Sequence, residues 1–163
     1  MSEQLFLRKI KPSDSPWILK WENNIENWAV SNTQRKFSPQ EIDDFVFGSH
    51  NIEENKQLRL MICSKVNENP MGCIDLFEYE KGNSVGVGVL IADKKDRNKG
   101  YAKDSLKLLI EFVKNELDVK TIFCSIFLDN TPSIRLFEGA KFTFIENRIL
   151  YGKLVKYYEL RIK

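Results

Sequence analysis

A mixed α/β fold, carried by one domain over residues 1–163, is what this sequence predicts. Short runs rich in β-branched and apolar residues recur along the chain, bounded by Pro, Asn or Gly. Between two of them Ala102, Leu106, Leu109, Ile110, Val113 and Leu117 return at helical spacing, one apolar stripe of an amphipathic helix. At 163 residues the chain is long enough to bury a core without disulfides or metal.

Taken in order, Leu5 to Ile10 alternates as a first strand and stops at Pro12. Asp14 or Ser15 can cap a helix with Pro16 in its first turn, running through Trp21. Trp21 to Trp28 is polar but bracketed by tryptophans, which suits a loop or broken helix with a task. Ser38-Pro39-Gln40-Glu41 starts a second helix with a capping box, and Ile42, Phe45 and Val46 are its apolar face. Leu58 to Cys63 and Met71 to Tyr79 read as strands, as does Val85 to Ile91. The long helix and a strand from Val119 to Phe127 follow, then a short helix opened by Asn130-Thr131-Pro132-Ser133, with Ile134 and Phe137 as its inner face. Phe142 to Ile145 and Leu154 to Ile162 close the chain as strands around a Tyr151-Gly152 turn.

Acids and bases are mixed along the chain and the net charge is +2, so composition makes no case for nucleic-acid or membrane binding. Cys63, Cys73 and Cys124 lack metal or CxxC spacing and fall in strand runs, which predicts buried thiols in a reducing compartment. No metal site is expected, and His50 reads as a surface histidine in a polar loop. With no apolar leader and no long apolar stretch, the cytoplasm is the expected location.

The functional signal is the strand, turn and helix from Val85 to Leu117. A turn containing glycine at a helix N-terminus presents free N–H groups and a positive dipole end, which suits a phosphate. A P-loop is excluded because the order here is Lys99-Gly100 and the leading glycine is missing. A dinucleotide fingerprint needs glycines in the turn, whereas Gly86 and Gly88 lie inside the strand. Glycines there point to a bulge or a close backbone approach. What remains is Arg/Gln-x-x-Gly-x-Gly/Ala, met by Arg97, Gly100 and Ala102.

With these residues, and with Asn130-Thr131-Pro132-Ser133-Ile134-Arg135-Leu136-Phe137 near the C-terminus, the chain resembles the GNAT superfamily of acetyl-CoA-dependent N-acetyltransferases. It is similar to the branch that acetylates ribosomal-protein N-termini and polyamines. The resemblance implies a mostly antiparallel sheet of about seven strands, a splayed motif strand and helices on both faces. It implies acetyl-CoA as cofactor and direct attack by a primary amine in a ternary complex. The acceptor is a protein N-terminus, a polyamine or another small amine, and a homodimer is compatible with the family. The alternative is a CoA-binding regulatory or interaction module without catalysis.

Residue by residue, the resemblance assigns Val89, Leu90 and Ile91 to the pantetheine arm and to the thioester carbonyl. The amides of Asn98, Lys99, Gly100, Tyr101 and Ala102 would cup the pyrophosphate, with Arg97 and Lys103 nearby. Lys94, Lys95, Arg97, Lys99 and Lys103 put five positive charges in ten residues, a solvated basic face or an attractor for an anion. Asn130, Ser133 and Phe137 complete the cofactor set. Trp21, Glu22, Asn27 and Trp28 fall where the family lines its acceptor site, and would suit a cationic amine.

Several positions depart from the family pattern. Phe137 stands where a tyrosine commonly protonates the leaving thiolate, so Ser133 is the expected acid. Gly86 stands where a strand glutamate is common, and Lys141 where glycine is usual. An ammonium substrate must still lose a proton, and Asp75 and Glu78 are the candidate bases, with Glu146 or a water relay behind them. Asp75 lies in an apolar run, where a carboxylate needs a partner.

Overall fold

β-branched residues and three small ones build the central element of the fold, strand β4, Ser84–Ile91. A computed structural model describes residues 4–27 and 35–163. The strands are β1 (Leu5–Lys9), β2 (Leu58–Ser64), β3 (Pro70–Glu80), β4, β5 (Thr121–Phe127), β6 (Thr143–Leu150) and β7 (Lys153–Arg161). The helices are α1 (Ser15–Glu22), α2 (Pro39–Val46), α3 (Ile52–Asn55), α4 (Tyr101–Glu116) and α5 (Thr131–Gly139). All seven strands form one sheet in the order β1-β2-β3-β4-β5-β7-β6. Only β4–β5 is parallel, as a crossover through α4 requires.

Strand alternation sends side chains to two cores. Leu60, Ile62 and Ile74 join Leu106, Leu109 and Val113 of α4 on one face. Met61, Cys63 and Cys73 join Ile18 and Trp21 of α1 and Ile42 and Val46 of α2 on the other. Burying Leu106, Leu109 and Val113 completely contributes about 1.5–3 kcal/mol each. The capping box of α2 forms as the sequence predicts: Ser38 Oγ accepts from Glu41 N–H, and Glu41 Oε1 from Ser38 N–H, both at 3.1 Å. All three cysteines are buried, and none is disulfide-bonded.

Three local differences have physical causes. Asp14 does not cap α1; its carboxylate takes both Arg8 guanidinium nitrogens at 2.8 and 2.9 Å and the Lys11 N–H at 2.8 Å. The polar stretch after α2 contains α3, because Asn51 Oδ1 caps it by accepting from Glu53 and Glu54 N–H. β6 runs to Leu150 instead of Ile145, since its polar middle, Glu146-Asn147-Arg148, pairs with β7 while remaining exposed. Polar exposed residues carry no apolar alternation, so periodicity misses them.

The turn at the end of the sequence forms as expected. Tyr151 and Gly152 both take left-handed backbone, φ 53° and 75°, which is the turn a two-residue hairpin favours. Among the described residues no helix is long and apolar enough to cross a membrane.

Candidate active site

β4 pairs with β3 in unbroken register from Gly86 to Ile91, but with β5 only from Ser84 to Gly86. Beyond Gly86 the two strands part, and the β5-facing edge of β4 is open. Ala92 N–H donates to Met71 O at 2.9 Å, so Leu90, two residues earlier, also faces β3. Val89 and Ile91 therefore direct their N–H and C=O groups into the gap. Glycine is needed at two places in this pairing. A Cβ at Gly72 would collide with the Leu90 carbonyl, and one at Gly86 with the Phe77 ring. Gly86 thus marks a close approach, not a bulge.

The gap widens into a cleft of about 420 Å³ between β4 and the N-termini of α4 and α5. Its wall includes Val89, Leu90, Ile91, Arg97, Asn98, Gly100, Tyr101, Ala102, Lys103, Asn130 and Ser133. Two residues expected there are elsewhere. Lys99 is exposed outside the lining, and Phe137 is buried below it, edge-on to Phe142 at 5.1 Å. Glu26, Asp96, Pro132 and Leu136 also line the cleft; Pro132 and Leu136 lie within the C-terminal signature, whereas no motif in the sequence marks Glu26 and Asp96.

The loop before α4 has the backbone an anion cradle needs. Asn98 and Gly100 are left-handed, φ 61° and 85°, and no atom lies within 4 Å of where a Gly100 Cβ would be. The first main-chain bond of the helix is Asp104 N–H to Gly100 O, 3.0 Å. The N–H groups of Tyr101, Ala102 and Lys103 precede it and have no carbonyl partner within the helix. Asn130 caps α5 by accepting from Ser133 N–H at 3.3 Å, so α5 aims its own N-terminus at the same space.

Arg97 serves this loop as a pin. Its Nε donates to Ile91 O at 3.0 Å, and its Nη2 to Asn27 Oδ1 at 3.0 Å and Ala92 O at 3.4 Å. Asn27 is buried and donates from Nδ2 to Trp21 O at 3.1 Å. The end of β4, the α4 loop and the segment after α1 are thus held by one guanidinium. Of the other basic residues here, Lys94 pairs with Glu26 at 3.1 Å on the surface.

A second cavity, about 100 Å³, lies between α1 and β3–β4 and is walled by Trp21, Glu22, Asn27, Arg59, Cys73, Asp75, Gly88, Val89 and Leu90. It shares Val89 and Leu90 with the larger cleft. Trp21, Glu22 and Asn27 therefore stand together on its wall, whereas Trp28 lies outside the described residues. Asp75 faces Arg59 across the β2–β3 ladder, Nε to Oδ1 2.7 Å and Nη2 to Oδ2 2.9 Å, and Arg59 Nη1 reaches Glu22 Oε1 at 2.8 Å. Burial opposes the Arg59 charge, but Asp75 and Glu22 outweigh it and hold the guanidinium well above its ordinary pKa. Glu78 is exposed at a left-handed position, φ 48°, where the β3–β4 register shifts, and lines neither cavity.

Arg59 was hidden in the sequence. It sits at a polar position of an apolar strand, and only the β2–β3 register pairs it with Asp75. Burial pushes the Cys73 thiol on the same wall up to about 12, so it stays protonated at neutral pH and is a poor nucleophile. His50 lies apart from this wall, with Nε2 2.8 Å from Val46 O and its ring edge-on to Phe45. Among the described residues no cluster of His, Cys, Asp and Glu could hold a metal ion.

The family model described as an acetyltransferase (GNAT) domain matches residues 4–143. An uncharacterized N-acetyltransferase, YokL, derived from the SPbeta prophage of Bacillus subtilis (strain 168), is 25% identical over 140 residues. That match covers 86% of this chain and 76% of the relative. An N-acetyltransferase 9-like protein of Caenorhabditis briggsae is 24% identical over 148 residues, covering 85% and 73%. In fold the chain is similar to spermidine N-acetyltransferase from Vibrio cholerae, solved with CoA and spermine. The TM-score is 0.85 at 19% identity, over 98% of this chain and 96% of that one. Aminoglycoside acetyltransferase AAC(6')-Ib, solved with coenzyme A, gives 0.80 at 15% identity, over 96% and 94%. The parted β4–β5 pair, the glycine cradle at the head of α4 and the family match over residues 4–143 agree: the chain belongs to the acetyltransferase (GNAT) domain family.

Proposed function

We propose that this N-acetyltransferase moves the acetyl group of acetyl-CoA to a primary amine by direct attack in a ternary complex, the amine entering through the smaller cavity. The observation that carries this reading is that both cavities meet at Val89 and Leu90. Two reactants approaching from opposite sides would come together at one strand edge, which is the geometry direct transfer requires.

Acetyl-CoA supplies an activated thioester. The Gly100 cradle and the N–H groups of Tyr101, Ala102 and Lys103 suit its pyrophosphate. The outward N–H groups of Val89 and Ile91 suit the pantetheine arm, and either can stabilise negative charge developing on the thioester oxygen. Ser133, on the cleft wall at the head of α5, is the proposed proton donor to the departing sulfur. The protonated Cys73 thiol favours direct attack over an acetyl-cysteine route.

Asp75 and Glu22 put two carboxylates on the wall of the smaller cavity beside Arg59, acceptors that suit an ammonium. Both Asp75 oxygens are engaged by Arg59, so orienting the amine suits Asp75 better than accepting its proton. Glu78 lies outside both cavities and suits the role of base less well. Proton loss then falls to water passed along the outward carbonyls of β4. The spermine and aminoglycoside complexes of the structural neighbours support a polyamine or amino sugar as the first acceptors to try. The lack of a membrane-crossing helix among the described residues is consistent with a cytoplasmic enzyme.

The test is calorimetric titration with CoA, NAD and ATP, followed by release of free thiol from acetyl-CoA across polyamines, amino sugars and peptides with free N-termini. CoA alone should bind, and at least one amine class should drive thiol release. Binding of CoA without amine-dependent release would overturn the catalytic reading and leave a CoA-binding module.

A further inference from the structure

A third space, about 240 Å³, opens beyond the smaller cavity. Its wall includes Phe45 of α2, Ser49 and His50 in the following loop, Asn55 of α3, Gln57 and Phe77 of β3. Arg59 and Asp75 line both spaces, so this chamber and the smaller cavity meet at that ion pair. Three rings shape the chamber. Phe45 and His50 stand edge to face, centroids 5.5 Å apart. His50 Nε2 donates to Val46 O at 2.8 Å, which fixes the ring and leaves Nδ1 as an acceptor in the neutral form. Phe77 lies where a Gly86 side chain would be and packs edge-on to Phe123 at 5.8 Å, so its ring is held in place. Charge is spent here. Both oxygens of Asp75, the one carboxylate on the wall among the described residues, are taken by Arg59.

We infer that this chamber seats the far end of the acceptor, and that the acceptor is an arylalkylamine: a primary amine joined by a short methylene linker to one neutral ring. The inference rests on the acetyl-transfer reading above. Volume divides the two spaces. A cavity of about 150 Å³ is enough to hold benzene. The smaller cavity, about 100 Å³, falls short of that, so it takes the amine and its linker, and the ring lies beyond. The chamber, at about 240 Å³, has room for one ring and a polar substituent but not for a chain of amino sugars. Its rings suit an aromatic partner, and with Asp75 engaged it offers no free carboxylate to a second ammonium.

Gly88 keeps the way between them open. It faces Asp75 across the β3–β4 ladder on the wall of the smaller cavity, and no atom lies within 4 Å of where its Cβ would be. Phe77 follows Asp75 by two residues on the same face of β3, about 7 Å along the strand, which is the span the linker has to cover. A hydroxyl or N–H on the ring edge suits His50 Nδ1 and the Gln57 amide.

Release of free thiol from acetyl-CoA by the full chain compares phenethylamine and tyramine with hexylamine and spermine. The ring-bearing amines should exceed the other two in kcat/KM on the order of 10-fold, the gain expected from burying a ring. Gln57 is exposed, so Gln57→Trp fills the chamber from its surface and should erase that preference. Phe45→Leu keeps apolar contact and removes one ring, and should reduce the preference by about 2- to 10-fold. Far-UV circular dichroism and CoA titration check that each variant is folded, and the second decides the matter if the first is not. Calorimetric titration of phenethylamine and hexylamine into the CoA-saturated protein reads the chamber apart from catalysis, and the same ranking should hold. A ring preference in binding without thiol release from any amine would uphold the chamber and overturn acetyl transfer. Thiol release without ring preference, or a preference untouched by both substitutions, would overturn the chamber and leave acetyl transfer standing. Binding of neither amine would overturn the chamber as well.

Discussion

Alanine at Gly100 and alanine at Gly82 make a matched pair that separates backbone strain from cofactor binding. Both glycines are left-handed, φ 85° and 79°, and neither has an atom within 4 Å of an added Cβ. Each alanine therefore costs only the conformational penalty, about 1–2 kcal/mol. In a chain of this size that lowers Tm by roughly 2–8 °C. Gly82 lies in the turn between β3 and β4, at the opposite end of β4 from the cleft. Gly100 lies on the cleft wall, beside the unspent N–H groups of the first α4 turn. There the new Cβ would hold a phosphate off the amides and weaken one or two charge-assisted bonds, about 3 kcal/mol together. That corresponds to a loss of CoA affinity on the order of 100-fold. Thermal scans and calorimetric CoA titration of both variants measure the two quantities separately. Wild-type CoA affinity in Gly100→Ala, or an equal loss in Gly82→Ala, would refute the cradle.

Three further predictions use other parts of the molecule. Arg59→Met leaves Glu22 and Asp75 without their shared guanidinium; because Asp75 is 36% exposed, the cost should be roughly 2–3 kcal/mol in urea unfolding, below the fully buried range. Amine-dependent turnover should fall in that variant while CoA affinity holds. At Asp14 burial works to raise the pKa, but Arg8 and the Lys11 N–H outweigh it and hold the carboxyl below its ordinary value. The resulting stability is fully present above about pH 4 and lost as pH falls through the lowered native pKa. Asp14→Asn should therefore lower stability at neutral pH and flatten the acid limb of unfolding curves recorded below pH 4. Lys141 ends α5 in left-handed backbone, φ 73°, with Phe142 N–H closing on Phe137 O at 3.0 Å, so Lys141→Gly should raise stability by about 1 kcal/mol in the same assay.

Elements whose apolar residues meet the core were legible in the sequence, because burial imposes a period. α4 shows this best: Leu106, Leu109 and Val113 of its stripe are all fully buried. The cap of α2 was legible because Ser38 and Glu41 act over three residues. The loop before α4 was legible as a local motif, and its Gly100 takes the left-handed backbone, φ 85°, that favours glycine. What escaped depends on partners distant in sequence. Arg59 meets Asp75 across 16 residues and Glu22 across 37, and Arg97 meets Asn27 across 70. Phe137 differs: spacing puts it on the inner face of its short helix, where it is buried, and only the family resemblance carried it to the cleft.

Arg97 shows how such a long-range contact alters the chemistry assigned to a motif. As one of five positive charges in ten residues it looks like an attractor for phosphate. In the fold its guanidinium is directed at two carbonyls and the Asn27 side chain, all of them protein oxygens. The remaining cations of the run are lysines. Lys94, Lys95, Lys99 and Lys103 are exposed, where salt screens charge beyond about 8 Å at physiological ionic strength. On the proposed reading, hold on the pyrophosphate comes chiefly from oriented amides, which depend on loop shape and little on salt. Arg97 sets that shape, and through Asn27 it also fixes the segment that walls the smaller cavity. Lysine in its place would keep the charge and lose the planar fork that reaches three oxygens. On the proposed reading the motif arginine braces the donor site and the acceptor site at once.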